Sequence, residues 1–155
     1  MLFKIPNYAN LEIAHIVFDY NGTLAVNGVV SSDTKDLLQK LCEQFKVYVI
    51  TADTFGSVKQ ELAEFNLEVI VLNSNNHTQE KADFVQSLGA KNTVALGNGN
   101  NDAKMLEIAE LSITIAGREG CATKTLLASD IVCHNIDDAI ELFLNPNRLI
   151  ATLRS

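Results

Sequence analysis

An alternation dominates this sequence: short apolar runs, each long enough for one buried strand, are separated by segments whose apolar residues recur at helical spacing. The first unit is "IAHIVF" followed by "SSDTKDLLQKLCEQF", where Ser and Asp offer caps and Leu37, Leu38, Leu41, Cys42 and Phe45 share a face. The order returns as "KVYVIT", a helix through residues 55–65, "LEVIVL", a helix through 79–88, "NTVALG" and a helix from about 102 to 110. It closes with "LSITIA", a short helix near 121–128, "DIVCH" and a helix over "IDDAIELFL". The tail "NPNRLIATLRS" restarts after Pro146 and is expected to pack as a short helix or to lead to a partner. Nearly continuous apolar strands separated by helices must be covered on both faces. The expected fold is α/β: a three-layer, doubly wound, Rossmann-like and mostly parallel sheet with helices on both sides.

A chain of 155 residues, 47% of them hydrophobic, suits one domain with a two-sided core. Twelve basic against nineteen acidic residues leave a net charge of −7, which argues against nucleic-acid binding, since neutralising phosphates needs clustered Lys and Arg. An anionic substrate must then be met by local cations, backbone amides or a metal. Cys42, Cys121 and Cys133 are odd in number and widely spaced, so buried reduced thiols are expected. The N-terminus lacks a basic segment followed by an uninterrupted apolar one, and no run reaches membrane-spanning length. The expectation is a cytoplasmic chain with no membrane partner, in which the Asn-x-Thr triplets at Asn21 and Asn76 carry no weight.

In doubly wound sheets the ligand sits beyond the carboxyl ends of the strands. Those ends are polar here: Asp19 on the first, Thr51 with Asp53 on the second, and "GNGNND", containing Asn98, Asn101 and Asp102, after the fourth. Lys81 falls in the first turns of the helix before that fourth strand. Singly, Asp102 could cap a helix, Thr51 could satisfy a backbone group and Lys81 could be a solvated charge. An acid, a hydroxyl, a cation and an Asn/Asp cluster on one edge together favour a site.

"FDYNGTL", the strand end at Thr51, Lys81 and "GNGNNDAKML", in this order, resemble the haloacid dehalogenase-like superfamily of phosphatases and phosphotransferases. The version is similar to the phosphorylation domain of P-type ATPases and to the small soluble P-type ATPase-like proteins. The likeness runs from about residue 14 to residue 144. It implies a phosphoric ester or anhydride hydrolase in which Asp19 is a nucleophile that forms an aspartyl-phosphate. Thr51, Lys81, Asn101, Ala52 and the backbone from Tyr20 to Gly22 would hold the phosphoryl group, whose spread negative charge calls for cations and donors. Mg²⁺ would be held by Asp19, the Asn21 carbonyl, Asn98 and Asp102, the last directly or through water.

Two positions depart from the family pattern. Asn21 stands where most phosphatases of the superfamily carry a second Asp that protonates the leaving oxygen and then activates water, help typically worth about 10²- to 10⁴-fold. Asn98 replaces an acidic metal ligand, so weaker metal binding is expected. A slow second step follows, or, alternatively, a degenerate binding or regulatory module. A receiver-like phosphoacceptor is disfavoured, because receivers place the phosphorylated Asp at the end of the third strand.

Spacing bears on the substrate. Asp19 and Thr51 are 32 positions apart, and Thr51 and Lys81 are 30, which leaves no room for a cap domain. "LAVNGVV" carries an Asn-Gly turn between apolar arms and resembles the small β-hairpin flap of this superfamily. The site is expected to be open to a small or larger phosphorylated substrate, or to be closed by self-association. P-type transport is excluded for this chain alone, because no nucleotide domain is present in it.

Overall fold

In the computed structural model, which describes residues 1–53 and 56–155, the chain opens with an antiparallel hairpin absent from the sequence-based expectations. Strands β1 (Leu2–Ile5) and β2 (Ala9–Glu12) pair with Phe3 opposite Leu11, and Asn7 makes the turn at φ 58°. Phe3, Ile5 and Leu11 point inward and are buried, whereas Leu2 and Lys4 stay exposed. Arms of only four residues are too short to stand out as strands, although their period of two was present.

The remaining elements follow the expected alternation: β3 (His15–Asp19), α1 (Ser32–Cys42), β4 (Lys46–Thr51), α2 (Ser57–Glu61), β5 (Leu67–Val71), α3 (His77–Leu88) and β6 (Thr93–Gly97). Then come α4 (Ala103–Ile108), β7 (Leu111–Ile115), α5 (Thr123–Ala128), β8 (Ile131–Cys133), α6 (Ile136–Leu144) and α7 (Pro146–Leu153). Helix α1 begins where Ser31 accepts from the Thr34 amide at 3.1 Å, as its cap position foretold. The second helix is shorter than its expected span of 55–65, and residue 55 lies outside the described residues. It stops because Leu62 leaves helical geometry, and Leu62 and Phe65 then turn inward and are buried. The tail does form a helix, and buried Leu149 anchors it.

Six strands form one sheet in the order β5-β4-β3-β6-β7-β8, and every pairing is parallel. Alternate residues of β3 serve opposite cores: Ile16 and Phe18 face the layer that holds Leu38, Leu41, Ile140 and Phe143, and Val17 faces Val85, Met105 and Leu106. Burying each such side chain is worth roughly 1.5–3 kcal/mol. The N-terminal hairpin joins the first layer, with Phe3 and Phe143 edge to face at 6.3 Å.

From β3 the chain winds one way through β4 and β5, then crosses back to place β6 on the other side of β3. A crevice therefore opens between the carboxyl ends of β3 and β6. Among the described residues no helix is long and apolar enough to cross a membrane. Cys42 and Cys133 are buried, and burial is the main force pushing their thiols up to about 11. Cys121, expected to be buried too, is only half-buried.

Candidate active site

Lys81 organises the crevice. Helix α3 starts at His77, where the Asn76 side chain accepts from the Gln79 amide, and its inner face carries Lys81, Ala82 and Val85. The Lys81 ammonium, with 2% of its side chain exposed, sits 2.7 Å from Asp19 Oδ1 and 2.6 Å from Asp102 Oδ1. It is no solvated surface charge.

Asp102 is wholly buried, and both of its oxygens are engaged. Oδ1 meets Lys81, and Oδ2 accepts from the Asn98 and Gly99 amides at 3.0 and 2.9 Å. The carboxylate lies so close to Gly97 that a Cβ there would come within 2.5 Å of the Asp102 Cβ. Asp102 thus holds Lys81 and the 98–99 turn, and offers no idle oxygen to a metal.

Asp19 ends β3 with 13% of its side chain exposed. Its second oxygen accepts from the Thr23 hydroxyl at 3.2 Å, and that same hydroxyl lies 3.2 Å from Asn98 Oδ1. Burial, then the neighbouring Asp102 charge, push the Asp19 carboxyl up to about 6, against the pull of Lys81 and Thr23. Burial opposes the charge on Lys81, but the two carboxylates outweigh it and its affinity for the proton rises. Two carboxylates against one ammonium leave the site one net negative charge, which a phosphate would meet as repulsion.

Eight expected residues line one hollow of about 230 Å³: Asp19, Tyr20, Asn21, Thr51, Ala52, Lys81, Asn98 and Asn101. Thr51, the last residue of β4, is buried, and its oxygen accepts from the Asp53 amide at 3.0 Å. Asp53 itself turns to the start of α2, accepting from the Ser57 hydroxyl at 2.6 Å and the Val58 amide at 3.0 Å. Gly22 differs from expectation. Its amide donates to the Ala25 carbonyl at 2.8 Å and is therefore spent within the loop. What the position requires is φ +79° and no Cβ, since a Cβ would lie 2.3 Å from Asn98 Nδ2. The flap is reduced to a Val26–Val29 bridge around Asn27 and Gly28, both at positive φ as the Asn-Gly pair foretold, and Tyr20 pins it by donating to the Gly28 carbonyl at 3.1 Å. A larger hollow of about 730 Å³ lies at the opposite ends of β3–β5, but its charged residues Glu43, Lys46 and Glu68 are exposed and do not converge.

Thr23, Gly97 and Thr125 were missed by the sequence reasoning. Thr125 is buried and donates to the Gly99 carbonyl at 2.6 Å, supporting the turn from behind. A signal existed for Thr23, which closes the "DYNGT" motif.

Among the described residues no group of three or more His, Cys, Asp and Glu side chains could hold a metal. The donors that remain at the hollow are the Asp19 carboxylate, the Asn98 amide oxygen and loop carbonyls such as that of Asn21. This is an all-oxygen set of low charge, which fits a hard cation that keeps several waters and does not fit zinc. Asn98 is tethered at both ends, with its Nδ2 donating to the Gly120 carbonyl at 3.2 Å.

No protein-family model matches the chain. Among solved structures it is similar to 3-deoxy-D-manno-octulosonate 8-phosphate phosphatase from Moraxella catarrhalis, solved with magnesium, phosphate and the sugar; identity is 20%, coverage 92% of this chain and 94% of that one, and the TM-score 0.70. It is also similar to the catalytic domain of the CPx-ATPase CopB-B, at 26% identity over 72% of this chain and 44% of that one, with a TM-score of 0.58. These likenesses show the haloacid dehalogenase-like fold without a cap domain, in agreement with the sequence-based expectation. In sequence, 64 residues, 41% of this chain and 69% of the relative, are 53% identical to the uncharacterized protein MJ0073 of Methanocaldococcus jannaschii. The chain belongs to the family of MJ0073.

Proposed function

We propose that this protein is a Mg²⁺-dependent phosphohydrolase that works through an aspartyl-phosphate on Asp19. The reading is carried by the Lys81 ammonium held between Asp19 and Asp102 on the wall of a polar hollow at the carboxyl ends of β3 and β6. The magnesium and phosphate bound by the structurally similar phosphatase support the choice of cofactor and ligand. That enzyme's sugar substrate is not carried over.

One Asp19 oxygen attacks phosphorus while the bond to the leaving oxygen breaks in line. The departing alkoxide takes its proton from water, because Asn21 has none to give. Lys81, the Thr51 hydroxyl and the Tyr20 and Asn21 amides stabilise the equatorial oxygens. Bound Mg²⁺ would be held by Asp19, Asn98 and the Asn21 carbonyl, and its charge would offset the site's net negative charge. Water then attacks the aspartyl-phosphate, releasing inorganic phosphate and restoring the Asp19 carboxylate. This second step is slow without a base at position 21.

A second reading, a non-catalytic phosphate-binding module, is favoured by the amides at Asn21 and Asn98 and by the double tether on Asn98. Assay of a phosphomonoester panel with and without Mg²⁺ separates the two. Mg²⁺-dependent turnover that disappears in Asp19→Ala is the expected result. Full activity in that variant would overturn the nucleophile, and absence of Mg²⁺ binding even with a phosphate analogue would favour the module.

A further inference from the structure

Beside the phosphoryl hollow lies a second one of about 330 Å³, and the two share Tyr20 and Asn21 as a common wall. Its other walls include Gly28 of the flap and Asp53, Ser57 and Glu61 at α2. In-line attack from Asp19 puts the leaving oxygen on the far side of phosphorus, toward the outer residues of the site, of which Asn21 is one. The lining of the second hollow is rich in acceptors: two carboxylates and the Gly28 carbonyl. Lys35, which pairs with Glu61 at 2.8 Å, offsets one of the two negative charges. Both carboxylates act on the shared wall, since the Tyr20 phenol is pushed up first by burial and then by Glu61 and Asp53.

Resting on the phosphohydrolase reading, we infer that this acidic hollow receives the alcohol half of the substrate. It selects phosphomonoesters whose alcohol carries hydrogen-bond donors, hydroxyl or ammonium, and rejects those that carry a carboxylate. A second anion would lose its hydration against acceptors that cannot donate to it, and would face a net negative wall.

Three esters of similar size test this with Mg²⁺ present: glycerol 1-phosphate, O-phosphoethanolamine and 3-phosphoglycerate. The kcat/KM for 3-phosphoglycerate is expected to fall at least tenfold below that for glycerol 1-phosphate. Glu61→Gln should narrow that gap about two- to fivefold, the range of a partly exposed charge, and Lys35→Met should widen it. A lead for O-phosphoethanolamine assigns the selection to ammonium, and equal rates for the two preferred esters assign it to hydrogen-bond donation. Equal or better use of 3-phosphoglycerate, or a gap that neither variant moves, overturns the inference while leaving the phosphohydrolase standing. The same ranking is to be read as Mg²⁺-dependent binding to Asp19→Asn, so that slow turnover cannot mask it. If no ester is turned over and none binds, the phosphohydrolase reading fails and this inference with it.

Discussion

Lys81 and Asp102, 21 positions apart, form an ion pair of 2.6 Å with 2% and 0% of their side chains exposed. A buried pair of this kind adds little net stability, but removal of one partner strands the other charge. Lys81→Met leaves Asp19 and Asp102 facing each other, and is expected to cost about 3–5 kcal/mol in urea unfolding. Added Mg²⁺ should recover part of that loss. A variant as stable as the native chain would show that the pair is not buried as described.

Asp19→Asn should act in the opposite direction in chelator-treated protein. Burial and Asp102 raise the Asp19 carboxyl from 3.8 to about 6 in the fold, so folding favours its protonated form. The stability contributed by that proton is complete below about pH 4 and is lost as pH rises through about 6. Asn mimics the protonated acid at every pH. The variant's advantage over the native chain should therefore be near zero at pH 4 and grow to on the order of 2 kcal/mol at pH 8. A constant difference across that range would contradict the raised acidity.

Gly97→Ala tests the close approach beneath the site. The new methyl would meet the Asp102 Cβ at 2.5 Å, and that atom is no flexible chain end. A loss of about 1–3 kcal/mol is expected, together with weakened Mg²⁺-dependent activity as Asp102 shifts from Lys81. Unchanged denaturation and activity would refute the packing.

Asn21→Asp restores an acid and base beside the leaving oxygen. Decay of the phosphorylated enzyme should speed up by about 10²-fold or more. The rate is best followed by quenched-flow with a labelled ester, and no acceleration would mean that position 21 does not limit the second step.

Much of this was legible in the chain itself. "KVYVIT" became β4 with the boundaries expected of it, because an apolar run between a charged helix end and a polar strand end leaves little freedom of placement. Asp19, Thr51, Lys81 and Asn98 were readable as a set from their order and positions at element ends. Thr23 was harder, since a threonine one turn beyond a strand has no local mark of the two acceptors it meets. Asp53 misled for the related reason that an acid near a strand end is equally suited to cap the next helix.

The sequence by itself determined the alternation of elements, hence the doubly wound sheet, and which strand ends carry polar groups. Both follow from local periodicity and from the need to bury two apolar faces. Only the tertiary structure decided that Lys81 meets Asp19 and Asp102 across 62 and 21 positions, that Asp102 has no oxygen left for a metal, and that the Gly22 amide is spent on Ala25. Such facts depend on where strand order and packing bring distant groups to within about 3 Å, and in a low-dielectric crevice that placement sets which atom is charged and which is free.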